Sequence, residues 1–400
     1  MKRLGRAALL TLAFLALASR TATPAGPARD PGPARDPGPA AAAPATAPAE
    51  IVAIGDVHGD FRTFFRLLRA LDLVDAGGRW SGGTRRLVQT GDLVDRGPES
   101  RRAIELLMRL EGEARASGGA VNVLLGNHEI MNLTGELGFV SPGEIAAFAG
   151  DEEPELRETK RRRILSLVEE GHPLLRSDYW KRLGRVLDAV GFDRRFPPGY
   201  FAHRRAFSAE GEIGRWLLGL DFVRVERETL FVHAGISPPF ARLGARELND
   251  ILHAHLAAYL DGVSRLDRLG VFEPALGLDE LRALIDLERS AGGPAPALAP
   301  SFRKLEQVLA GPLFAADGPV WYRGLAELDE RRFAGVVEQV LARHRVQRIV
   351  IGHTQHSSLS IRGRFGDRVV LIDTGMNQES YGGQPSALLI DPAGELSVFE

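Results

Sequence analysis

Cysteine is absent from all 400 residues. That excludes disulfides, thiolate metal ligands, cysteine nucleophiles and lipid attachment at a modified thiol. A surplus of positive charge is also missing. Fifty Lys and Arg stand against 52 Asp and Glu, a formal net charge of −2, so nothing in the balance argues for a nucleic-acid partner. The apolar run at residues 7–18 is only 12 residues long, too short to span a bilayer comfortably. No Gly-x-x-x-x-Gly-Lys loop occurs, so nucleotide-driven phosphoryl transfer lacks its phosphate cradle. What the chain has is 44% hydrophobic and 26% charged residues, which supplies a sizeable core and excludes global disorder. The length suits two or three domains, or one large enzyme fold with insertions.

Lys2, Arg3 and Arg6 precede that apolar run, and Ala16-Leu17-Ala18 offers small residues for cleavage. Residues 1–18 therefore predict a secretory signal peptide, with an uncleaved membrane tether as the alternative. The expected location is periplasmic or secreted, with no stable membrane insertion after cleavage. Residues 19–50 are dominated by Pro, Ala and Gly, and Pro27-Ala28-Arg29-Asp30-Pro31-Gly32 recurs directly at 33–38. This composition predicts an extended, solvated linker, with the catalytic domain at 51–400.

Within that domain, short apolar runs keep ending in carboxylates and histidines. Ile51-Val52-Ala53-Ile54 is followed by Gly55-Asp56-Val57-His58-Gly59, and Leu87-Val88-Gln89-Thr90 by Gly91 and Asp92, with Asp95 and Arg96 beyond. Val121 to Leu125 run into Gly126-Asn127-His128-Glu129, Leu230-Phe231-Val232 into His233, and Arg348-Ile349-Val350-Ile351 into Gly352-His353-Thr354. Helical spacing of Phe61, Phe64, Phe65, Leu68 and Leu71, and a second helix near residues 100–116, alternate with these runs. Strand, polar loop, helix, repeated, predicts an α/β core with its loops at one end of a sheet. Three apolar runs after residue 368 read as closing strands of a second sheet. Residues 141–220 and 239–318 read as helical insertions. Lys160-Arg161-Arg162-Arg163, among Asp151, Glu152, Glu153, Glu155 and Glu158, reads as a solvated helix face rather than an anion site.

Strands ending at one rim bring distant residues together. Asp56 to Asp92 spans 36 residues and Asp92 to Asn127 spans 35, about one βα unit each. Carboxylate, amide and imidazole ligands suit two hard or borderline divalent cations sharing one carboxylate, and Asp92 is the natural bridge. Such a pair, about 3.5–4 Å apart, activates a hydroxide for in-line phosphoryl displacement.

The motifs at Gly55 to Gly59, Gly91 to Gly97, Gly126 to Glu129, His233-Ala234-Gly235 and Gly352-His353-Thr354 resemble those of calcineurin-like metallophosphoesterases of the phosphoprotein-phosphatase type. Asn127-His128-Glu129-Ile130-Met131-Asn132 and the flanking Gly135 resemble the Shewanella-like branch. The resemblance implies a metallophosphatase-type β-sandwich, two mixed sheets flanked by helices, with helical insertions. It implies two divalent metal ions, Mn, Fe or Zn. Asp56, His58 and Asp92 would hold one; Asp92, Asn127, His233 and His353 would hold the other. Arg96 and Asn127 would bind the substrate phosphate, and His128 would be the general acid, with Asp95 orienting and charging its imidazole. Arg323, in the stretch from Pro319 to Gly324, would be a second phosphate clamp. The implied activity is hydrolysis of phosphoprotein side chains, phosphotyrosine or phosphoserine/threonine.

A dinucleoside polyphosphate hydrolase or a general phosphoesterase would share the same metal motifs. A non-enzymatic exported binding protein is the third reading, and no residue favours it. Asn132 stands where a zincin needs its second histidine, which excludes that class. Asp373 reads as an ordinary turn carboxylate, with support of the site from behind the ligands as the alternative, and His356 as either site-lining or surface. His172, His203, His253, His255 and His344 fall in helices or insertions and are not expected to be ligands.

Overall fold

The structure is a computed structural model in which residues 49–400 are described. The expected signal peptide lies outside the described residues, as does the expected linker apart from Ala49 and Glu50.

The strands in chain order begin with β1 (Ile51–Ile54), β2 (Arg86–Gln89), β3 (Ala120–Val123), β4 (Val223–Glu226) and β5 (Thr229–Val232). They continue with β6 (Arg348–Ile351), β7 (Arg362–Arg364), β8 (Val369–Leu371), β9 (Ala387–Ile390) and β10 (Leu396–Phe399). Two five-stranded mixed sheets result, ordered β10-β9-β1-β2-β3 and β4-β5-β6-β8-β7. The parallel runs are β1-β2-β3 and β5-β6-β8. β1 and β5 are buried at every position because both faces are covered, which is why they read as continuous apolar runs. Ile51, Ala53 and Val88 pack against Phe231, Val350 and Val370 between the sheets. Their neighbours Val52, Ile54, Leu230 and Val232 point outward beneath the helices. On the first sheet those helices are α1 (Phe61–Ala70) and α2 (Ser100–Ala116).

One expectation about the closing strands fails. Only β8 joins the second sheet; β9 and β10 return to the first, where β9 pairs antiparallel with β1. β1 has one edge taken by β2, and the C-terminal hairpin covers the other. β4 and β7 leave no clear signal in the sequence, since Val-Arg-Val-Glu and Arg-Gly-Arg carry few apolar residues and sit at sheet edges.

The two insertions fold together. Ile164, Trp180 and Phe196 of the first share one hydrophobic core with Tyr259, Leu281 and Phe302 of the second. The basic run is not simply solvated. Lys160 Nζ lies 2.7 Å from Glu273 Oε1, Arg163 Nε lies 3.2 Å from Glu273 Oε2, and Arg163 also pairs with Asp267. Glu273 is fully buried, so these ion pairs tie one insertion to the other.

His203 is buried between the rings of Phe148 and Phe207, and neither ring nitrogen has a hydrogen-bond partner. Burial, and then the neighbouring Arg204, lowers its pKa to about 3. The unfolded chain takes up this proton near pH 6.5 and the folded chain only near 3. Stability is therefore lost as pH falls through that window, by at most about 1.4 kcal/mol per unit. His203→Phe is expected to flatten the dependence, measured by urea unfolding from about pH 7 to about pH 4. An unchanged slope would rule out this origin.

Candidate active site

The carboxyl ends of the parallel strands meet at one rim. Val57 and His58 donate their backbone N–H groups to the carbonyl of Asp92, at 2.9 and 3.0 Å, locking the loop after β1 to the loop after β2. Helix α3 (Asn127–Thr134) follows β3, and all eight of its residues are buried. Its Glu129 accepts from the backbone N–H of Asp92, Leu93 and Gly126 at 2.7–2.8 Å, so one carboxylate pins two loops. Gly126 is required here, since a Cβ would stand 2.2 Å from Asp92 Oδ1. His58, Asp92, Asp95, Arg96 and His353 all have positive φ, between 47° and 72°. Non-glycine residues adopt this region at a cost, and here the surrounding bonds hold five of them at the rim.

Six of the sequence-predicted ligands come together. His233 Nε2 lies 3.0 Å from Asn127 Oδ1, 3.2 Å from His353 Nδ1 and 3.3 Å from Asp92 Oδ2. His58 Nε2 lies 3.7 Å from Asp92 Oδ2 and 3.9 Å from Asp56 Oδ2. His58 Nδ1 is bonded to the carbonyl of Val94 and His233 Nδ1 to that of Thr90, which aims both Nε2 atoms inward. Asp92 is thus the residue common to both groups.

These residues fit two divalent cations. Around His233 Nε2 converge three lone-pair-bearing atoms, and one N–H satisfies only one of them; a cation satisfies all. The electrostatics agree. Burial opposes charge on Asp92, yet the His233 and His128 imidazoles hold its carboxyl well below the usual range. Reciprocally, burial works against protonating His233, but Asp92 and its hydrogen bond raise the pKa. A bound cation would supply the balance these protons supply. Burial, followed by the nearby Asp373 and Asp92, pushes Asp56 well above the usual carboxylate range, a conflict that positive charge relieves. Burial keeps His58 neutral, with a pKa of about 3, as a ligand requires.

His128 differs from the other imidazoles. Its Nδ1 lies 2.5 Å from Asp95 Oδ2, and Asn132 Nδ2 donates to Asp95 Oδ1 at 2.7 Å. Burial opposes its protonation, but Asp92 and the bonded Asp95 raise the pKa. Its Nε2 faces Asp92 Oδ2 at 3.9 Å and Arg96 Nη2 at 3.5 Å. Arg96 lies between the rings of Tyr381 and Phe139, 4.8 and 5.1 Å from their centroids. Arg323 holds the turn after β6, its Nη1 donating to the His353 carbonyl at 2.9 Å and to Thr354 Oγ1 at 3.0 Å.

Further residues support the site from behind the ligands. Asp373 is buried beside Asp56 with one oxygen unpartnered, so it is no ordinary turn carboxylate. The signal is its place after β8, the same strand-end rule that finds the others. Asn377 Nδ2 holds the His58 carbonyl at 2.7 Å. His356 is bonded to Ser358 in an exposed turn. Among the described residues, the groups close enough to share an ion are His58–Asp92–His128 and Asp92–His233–His353.

Several known proteins are similar to this chain. A protein of Schizosaccharomyces pombe is 29% identical over 88% of this chain and 80% of its own length. Shewanella-like protein phosphatase 2 of Arabidopsis thaliana is 25% identical over 86% of this chain and 75% of its own. The solved cold-active protein-tyrosine phosphatase of a psychrophilic Shewanella superposes with a TM-score of 0.54 at 21% identity, covering 88% of this chain and 80% of that one, a likeness of fold. Residues 49–357 match the calcineurin-like phosphoesterase family, whose members work with two divalent metals. With that match and the paired ligand groups, the chain belongs to the calcineurin-like phosphoesterases and is a metal-dependent hydrolase.

Proposed function

We propose that this chain is a phosphomonoesterase of phosphorylated protein side chains, with tyrosine phosphate preferred. The observation that carries it is the grouping of His128, Arg96 and Phe139 beside the metal ligands. The metals, held by Asp56, His58, Asp92, Asn127, His233 and His353, would polarise the phosphoryl group and activate water. Arg96 offers a guanidinium fork to the phosphate oxygens, held in place by two aromatic faces. Asp95 keeps the His128 Nδ1 proton, so Nε2 carries the mobile one. As water's oxygen bonds to phosphorus and the ester P–O bond breaks, Nε2 passes that proton to the leaving oxygen. The products are phosphate and the free hydroxyl side chain.

The leaving group must approach His128 Nε2, and beside it stands Phe139, 5.3 Å from the imidazole and 48% exposed. A phenyl leaving group stacks on that ring; a serine methylene gains little. The Arabidopsis relative is named a protein phosphatase and the Shewanella protein a protein-tyrosine phosphatase, names that support phosphorylated protein as the substrate class. The basic and apolar pattern of residues 1–18 supports export of the enzyme, and the metal is proposed to be manganese, iron or zinc.

The test is a panel of phosphotyrosine, phosphoserine and phosphothreonine peptides and diadenosine tetraphosphate, assayed with each metal. Phosphotyrosine peptides are expected to turn over fastest. Phe139→Ala is expected to lower kcat/KM for them by roughly 3–10-fold while leaving phosphoserine peptides within about 2-fold. Equal losses would remove the stacking role. Cleavage of the dinucleotide alone would overturn the proposed function.

A further inference from the structure

We propose that Arg204 and Tyr259, in the helical insertions, are positioning residues that brace the far end of α3 and so keep His128 aligned with the leaving group. α3 carries Asn127, His128 and Glu129 in its first turn, and like any helix it leaves its last carbonyls without partners in its own ladder. The insertions bond two of the last carbonyls, that of Thr134 and that of Asn132, which also accepts the Gly135 N–H at 3.2 Å. Arg204 Nη1 donates to the Asn132 carbonyl at 2.5 Å from helix Tyr200–Ala206 of the first insertion. The Tyr259 hydroxyl donates to the Thr134 carbonyl at 3.0 Å from helix Ala245–Arg268 of the second.

Backbone contact reinforces the bonds. Gly135 caps α3 with φ 82°, and a Cβ there would stand 2.6 Å from Gly277 Cα. Gly277 in turn would place a Cβ 2.1 Å from the Gly135 carbonyl oxygen, so neither position accepts a side chain. One residue further, Glu136 is bonded by Arg282 at 3.3 Å.

Arg204 is 8% exposed, and among the described residues no carboxylate pairs with it. A buried guanidinium without an anion is costly. At this place the negative end of a helix dipole is what faces it. The charge therefore serves to fix α3, whose other end is fixed by Glu129. An eight-residue helix held at both ends cannot tilt, and a tilt would carry the His128 imidazole away from its reacting geometry. Misplacement by about 1 Å costs on the order of 100-fold in rate.

This inference rests on His128 serving as the proton donor, and its test separates the two ideas. Arg204→Met, Arg204→Lys and Tyr259→Phe are assayed, metal-loaded, on aryl phosphates of rising leaving-group pKa and on a phosphoserine peptide. Arg204→Met is expected to lower kcat by roughly 10–100-fold with KM within about 2-fold. The loss should grow as the leaving group becomes poorer, because poor leaving groups need the aligned acid most. Arg204→Lys, which keeps a donor and the charge, should recover much of the rate. Tyr259→Phe loses a single hydroxyl and should show the same leaving-group trend at a smaller size. It decides the matter if Arg204→Met does not fold. Wild-type rates and slopes in both Tyr259→Phe and Arg204→Met overturn the brace, as does a loss equal for every leaving group. A wild-type chain inactive on all these substrates would instead overturn the proposed function.

Discussion

Asp92→Asn is expected to lower phosphomonoester hydrolysis by the metal-loaded chain at least roughly 1000-fold in kcat/KM. Asp92 is the one residue common to both ligand groups. Its Oδ2 faces His233, His58 and His128 within 3.9 Å, and its Oδ1 accepts the His128 backbone N–H at 3.0 Å. An amide halves the donor oxygens, removes the charge and turns an NH₂ toward imidazole nitrogens. The fold should survive. Asparagine tolerates the φ of 56° better than most residues, and the loop bonds run through the Asp92 backbone. Calorimetry should show weakened binding of Mn²⁺, with thermal unfolding of the metal-free chain close to wild type. Equal turnover by variant and wild type would sink the two-metal assignment.

The second large effect is selective rather than total. His128→Asn should lower turnover of a phosphoserine peptide by roughly 100–10,000-fold, the range of general acid catalysis. On nitrophenyl phosphate the loss should be about 10-fold or less, because that leaving group departs without a proton. The geometry sets this contrast. Asp95 and Asn132 hold the imidazole from behind, and Nε2 lies beside Arg96, where a bound phosphate ester would present its leaving oxygen. The asparagine variant would keep the helix N-terminus and the phosphate site while losing the proton. Losses equal on both substrates would assign His128 to metal or phosphate binding instead.

The ligand motifs are legible because each is local. A buried strand must end, and Gly55-Asp56-Val57-His58 or Gly126-Asn127-His128-Glu129 turns the chain while setting donors at the exit. Apolar runs separated by helical spacing already place these exits on one rim. Asp373 obeys the same rule and is followed by Gly375, but no histidine stands beside it, so only its burial beside Asp56 distinguishes it. Phe139 is hidden for the opposite reason. Nothing local marks a phenylalanine as the wall of a site; its proposed role comes from the 2.8 Å bond between its carbonyl and Arg96 N, which brings the ring to His128.

Sheet membership is decided by tertiary structure. β8, β9 and β10 look alike as apolar runs, yet β9 and β10 cross back to the free edge of β1. Period-two burial states that a strand has two faces but not which edge it will cover. The insertions follow the same logic. Each reads as amphipathic helix, but only Glu273 meeting Lys160 and Arg163, and a core shared by Trp180 and Leu281, makes them one body. Cysteine's absence and the order of Asp, Asn and His ligands were therefore determined by the sequence alone, because chemistry at a strand end is written in adjacent residues. The contacts behind the proposed proton relay, aromatic wall and brace on α3 were decided by the fold, because each depends on groups that only packing brings together.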